Sequence, residues 1–223
     1  MTESEWLTAT DPRLMLESMR GDAVDRLLRL FVCACYRRAH GTFHDDVPFP
    51  AELELAEQFA ERQLTKSDLL SAGYWLGALG GYSLAGVLNS LEHCLVELDG
   101  QSAAEGAATL MTNFASLFAE GSGAADTVRS AAANAEMRHS ATLLRCIFGN
   151  PFRPVTFSDS WRYETAVALA TNIYAERAFD RLPILADALE DAGCDDADVL
   201  NHLRGPGPHA RGCWVVDGVL GKC

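Results

Sequence analysis

Apolar positions recur along this chain with a helical period, and no stretch alternates apolar and polar residues long enough to predict a strand. The clearest helix is expected from Asp22 to about Ala39, where Val24, Leu27, Leu28, Phe31 and Cys35 share one face. Asp22–Arg26 and Asp25–Arg29 support it as i,i+4 pairs in the favourable direction. Before it, Thr2 and Glu5 form a capping box ahead of Trp6 and Leu7, and Asp11-Pro12 opens a second short helix that Gly21 ends. After it, His40–Pro50 reads as a loop. The stretch Pro50–Leu64 places Leu53, Ala56, Phe59 and Ala60 inward, and Thr65 with Asp68 caps the helix that starts at Lys66. Another helix is expected over Ser83–Leu98.

Residues 101–147 are rich in Ala, Ser and Gly and predict two helices, roughly 102–119 and 124–147, broken at Gly121–Gly123. The two prolines of Gly149-Asn-Pro-Phe-Arg-Pro154 then exclude regular helix. Beyond them, Asp159 or Ser160 is expected to cap a helix carrying Tyr163, Ala166, Ala170, Ile173 and Tyr174. Pro183 sits in the first turn of a helix with Leu185, Ala188, Leu189 and Ala192 on one face. Asp195 or Asp196 starts a short helix that Gly205-Pro206 ends, and Gly212–Leu220 reads as a last helix. The expected fold is all-α, an irregular bundle of about nine or ten helices. A Pro-rich connector separates an N-terminal region, 1–147, from a C-terminal helical block, 148–223, within one continuous globular unit.

Charge narrows the partners. Eighteen basic against 31 acidic residues leave a net charge of −13. A field of that sign repels phosphate backbones and anionic membranes, so nucleic acid is an unfavourable partner and a basic protein a favourable one. The run Leu69–Leu91 holds no charged residue, and Gly73, Gly77 and Gly81 repeat as in close-packed membrane helices. Its hydropathy is diluted by Ser71, Ser83, Asn89 and Gly80-Gly81, so two buried helices of a soluble protein are the expectation. The acidic, Pro-broken start resembles no secretory signal. The expectation is therefore a cytoplasmic protein whose seven cysteines are reduced.

Several longer motifs resemble one family. The opening Met1-Thr-x-x-Glu-Trp-Leu with Thr10-Asp-Pro, and Leu28-Arg-Leu-Phe with the Cys33-Ala-Cys pair and Arg37-Arg38, are similar to a family of uncharacterised planctomycete proteins. So are Ile147–Val155, the stretch from Ala178 through Phe-Asp-Arg-Leu-Pro-Ile-Leu-Ala-Asp-Ala-Leu189, and Gly207–Asp217. The resemblance covers both ends, about half of the chain, and implies no particular activity. Members of that family often carry Cys after the histidine matching His202. Here that position is Leu203, so a metal site built on it would be lost.

The candidate chemistry lies in Cys194–Trp214. Cys194, His202, His209 and Cys213 are a Cys₂His₂ set suited to zinc, separated by seven, six and three residues. None of these gaps is a tight zinc knuckle. A second grouping, Arg204, His209, Arg211 and Asp217 with Asp180 and Arg181, suits an anionic ligand or a peptide terminus. Elsewhere, Glu136-Met-Arg-His139 is half of a di-iron motif, and the other half is missing. Cys33 and Cys35 point to different sides of one helix and form no redox pair. The leading functional expectation is a non-enzymatic, cofactor-free interaction or adaptor module with a basic partner. The alternatives are a zinc- or thiol-dependent protein working in the C-terminal block, and an immunity- or antitoxin-like protein.

Overall fold

The structure, a computed structural model, describes residues 1–19, 25–43, 50–69, 71, 99–121 and 126–222. Every regular element among them is a helix, as the periodicity requires. The α-helices are α1 (Glu3–Thr8), α2 (Pro12–Glu17), α3 (Asp25–Phe43), α4 (Pro50–Ala60), α5 (Gly100–Gly121), α6 (Asp126–Phe148), α7 (Glu164–Glu176), α8 (Leu182–Asp191), α9 (Ala197–Arg204) and α10 (Trp214–Leu220). Short 3₁₀ turns occupy Asp159–Arg162 and Phe179–Arg181. Most of Leu69–Leu91 lies outside the described residues, and no described helix is long and apolar enough to cross a membrane.

The chain forms two compact units, and the division falls inside α6 at Ala141/Thr142, ahead of the Gly149–Pro154 connector. The first unit comprises Met1 and Ala9–Ala141. At its centre α3 packs against α4 and α5, and α2 lies on α5. Both Cys33 and Cys35 are buried there along with Leu28, Phe31 and Tyr36, so α3 is covered on more than one face. The helix runs on to Phe43, through part of the expected loop. Small side chains on α5, Ala103, Ala104, Ala107 and Ala108, are all buried and allow close helix approach. Charged residues fasten the helices by their flanks. Arg37 donates to the buried Glu57 at 3.0 Å, and Arg38 Nε reaches both oxygens of the buried Glu136 at 3.0 Å. Asp25 serves two partners, Arg29 at 2.8 Å and the Gly100 amide at 2.9 Å.

The second unit comprises Thr2–Thr8 and Thr142–Cys223. Its first helix is stapled by the capping box, in which Thr2 N donates to Glu5 Oε2 and Glu5 N to Thr2 Oγ1. Trp6 is fully buried; its indole N–H donates to the Gly149 carbonyl at 2.9 Å, and its own carbonyl accepts from Arg145. In the rest of the unit, α8 packs on α7 and α9, and α10 packs on α7 and α9. Their apolar faces form one core that includes Ile173, Leu182, Leu185, Leu189, Val199, Leu203 and Val216. Asp196 is the cap of α9, accepting from the amides of Asp198 and Val199. Ahead of α7 the chain departs from the expectation: Ser158 caps a 3₁₀ turn, and Tyr163 is extended, so the α-helix starts at Glu164. Gly218 on α10 lies so close to Phe157 that an added Cβ would run into its ring.

Candidate metal centre

Four segments of the second unit converge on one point. The last turn of α6 supplies Cys146, and the last turn of α9 supplies His202. The chain then leaves α9 through Gly205-Pro206-Gly207-Pro208 and returns with His209, and Cys213 is the N-cap residue of α10. The four ligand atoms all lie within 4.8 Å of one another. His202 Nε2 is 3.2 Å from Cys213 Sγ, and His209 Nδ1 is 3.7 Å from Cys146 Sγ. A tetrahedral Cys₂His₂ zinc site has ligand–ligand edges of about 3.3–3.8 Å, from Zn–S near 2.3 Å and Zn–N near 2.0–2.1 Å. The 3.7 Å edge falls at that size and the 3.2 Å edge just below it.

The surroundings orient the ligands. His209 Nε2 stands 3.3 Å from the Gly205 carbonyl, which can only accept, so Nε2 carries the proton and Nδ1 presents its lone pair to the cluster. The His202 ring meets His209 edge-on with centroids 5.1 Å apart, and packs on Trp214 at 5.6 Å. Gly207 has φ +84°, and a Cβ there would press on the His209 amide and ring at 3.0 Å. Glycine therefore serves the histidine's position as well as the turn.

Protonation within the cluster is uneven. Burial pushes the Cys213 thiol up, but hydrogen bonds from Cys146, His202 and His209, with the charge of His202, outweigh it and hold Cys213 well below the usual thiol range. Cys146 is held above that range by its hydrogen bond to Cys213 and by burial. His209 is raised, because its contacts to Cys213 and Gly205 overcome desolvation. A cation at the centre would take the place of the protons shared among these groups.

Three of the four expected ligands, His202, His209 and Cys213, are thus brought together, and Cys146 stands where Cys194 was expected. Cys194 is instead a buried core residue just after the turn that ends α8: its amide donates to the Leu189 carbonyl, and desolvation raises its thiol. Leu203 is fully buried in the core, and the four-residue cluster does not include that position.

The second expected grouping is dispersed. Arg204 Nη2 pairs with Asp187 at 2.7 Å and Glu190 at 2.6 Å, tying α9 to α8. Arg211 donates to the carbonyls of Tyr174 and Ala175 and so closes the C-terminus of α7. Asp217 is buried within α10, and Arg181 faces Glu176 at 3.5 Å. In the other unit, Glu136 of the half di-iron motif is engaged by Arg38.

Compared with protein-family models, curated proteins and solved structures, the chain matches none.

Proposed function

We propose that the C-terminal unit is a zinc-binding helical domain whose Cys146, His202, His209 and Cys213 form a closed structural centre. The convergence of four suitable ligand atoms within 4.8 Å carries this reading. Four protein ligands complete a tetrahedron, which is the pattern of structural rather than catalytic zinc. Cys146 and Cys213 are buried at 2% and 0% exposure, as ligands of a closed site would be. The ligands come from four separate segments, so the metal would cross-link α6, α9, the Gly-Pro turn and α10. On this reading the protein works as a metal-stabilised interaction module, and its charge of −13 supports a basic protein partner, an immunity- or antitoxin-like pairing among them.

Cobalt substitution tests it: Co²⁺ bound by two thiolates gives intense thiolate-to-metal charge-transfer bands and tetrahedral visible bands. The expected spectrum is of that kind, saturating at one metal per chain. Weak octahedral bands would contradict it.

One observation favours a second reading, thiol-dependent chemistry: the 3.2 Å approach of His202 to a Cys213 with lowered pKa. Alkylation by iodoacetamide separates the two. Structural zinc predicts that Cys213 resists labelling until a chelator is added, whereas a catalytic thiol would label rapidly in the native protein.

A further inference from the structure

A cavity of about 260 Å³ opens beside the candidate metal centre, within the same unit, and His202 forms part of its wall. Its body is apolar and partly aromatic, with Phe148, Val155 and Trp214 on its sides. Two arginines, Arg145 and Arg153, and one aspartate, Asp198, are among the lining residues. In a chain with a net charge of −13, a concavity lined by two arginines and one aspartate, with Glu3 paired to one of the arginines, is close to neutral. Arg145 is fixed in place by two bonds to the Trp6 carbonyl, at 3.0 and 2.7 Å, so its charge is positioned before any ligand arrives. Arg153, also in the lining, is paired through its Nε with Glu3, which reduces its field.

We propose that this cavity binds a small organic carboxylate: a one-ring or branched apolar body between Trp214, Phe148 and Val155, with its carboxylate toward the arginines. The volume lies just below the range of about 300–1,000 Å³ found for drug-sized ligand sites, which limits the occupant to a small acid. Guanidinium groups suit a planar carboxylate by shape and by charge. The cavity shares His202 with the proposed metal centre, but none of the residues altered in its test is a proposed ligand of the metal, so the two readings fail separately.

The test titrates the full-length protein with benzoate, and separately with benzylamine, following the tryptophan indole N–H signals by NMR. Benzoate is expected to give a saturable shift of the Trp214 signal, and benzylamine to bind at least tenfold more weakly. Arg153→Gln should weaken benzoate at least threefold, and Leu7→Phe, which narrows the cavity from its exposed rim, should weaken it by a similar factor. Asp198→Asn should tighten it about twofold to fivefold by removing the opposing charge. Near-UV circular dichroism establishes that each variant is folded, and Asp198→Asn, at an exposed position that is not the cap of α9, decides the matter if Arg153→Gln is not. An absence of saturable binding, equal binding of benzylamine, or benzoate affinity unchanged by Asp198→Asn would overturn the proposal.

Discussion

Cys146 and Cys194 are both buried thiols in the second unit, yet their neighbours assign them different roles. Cys146 faces His209 Nδ1 at 3.7 Å and is one of four converging candidate ligands, whereas Cys194 sits in the core beyond α8. Cys146→Ser is therefore expected to weaken zinc binding by more than the roughly 10–100-fold typical of losing an outer-shell partner. Cys194→Ser is expected to leave zinc content unchanged; a competition titration with a chromogenic chelator reads both. The sequence showed His202, His209 and Cys213 as a local cluster, because they lie within twelve residues of one another. It hid Cys146, which is 56 residues before His202 and joins the cluster only in the folded chain. No spacing rule identifies a ligand delivered by tertiary packing. In the first unit, His139 is half-buried, and desolvation, with the nearby charge of Arg38, pushes its pKa down to about 4. Its folded-state value lies below the unfolded value near 6.5, so the unfolded chain binds the proton first as pH falls. Stability contributed by neutral His139 is thus complete above about pH 6.5 and declines toward pH 4. Discounted for partial exposure, the loss is about 1–2 kcal/mol, and His139→Gln should flatten that part of a urea-denaturation pH profile.

At the scale of elements, the punctuation residues were the most legible part of the chain. The Thr2/Glu5 box, Asp11 before Pro12, the Thr65/Asp68 box and Asp196 all cap helices as their side-chain chemistry requires. Asp196→Ala should cost about 1 kcal/mol by thermal denaturation, since two amides at the start of α9 lose their acceptor. The start of α7 was less legible: Ser158, Asp159 and Ser160 all have capping chemistry, and the chain uses Ser158 for a 3₁₀ turn before the α-helix begins at Glu164. The place of α1 could not be read from pattern either, because its partners, Arg145, Gly149 and Asn150, lie far along the chain. Trp6→Ala removes a fully buried ring and the bond to Gly149, and should destabilise the C-terminal unit by about 3–5 kcal/mol. The turn before His209 is equally constrained. Gly207→Ala forces a side chain into a left-handed position and against His209, so zinc affinity should fall even though no ligand is changed.

For the whole molecule, the all-α class followed directly from periodicity, but the division into units did not. It lies inside the continuous helix α6, where no proline, glycine or change of charge marks a boundary, and the first helix belongs with the last third of the chain. If the metal is structural, its binding free energy contributes to the folding of the second unit alone. Calorimetry with and without chelator should then show a lowered transition for that unit and an unchanged one for the first. The most direct measurement of the central claim is the metal content of the purified full-length protein, by elemental mass spectrometry, beside the Cys146→Ser and Cys194→Ser variants. The account predicts one zinc per chain in the native and Cys194→Ser proteins and a substoichiometric amount in Cys146→Ser. Metal-free native protein that takes up no zinc on addition, with a melting temperature indifferent to chelator, would contradict it.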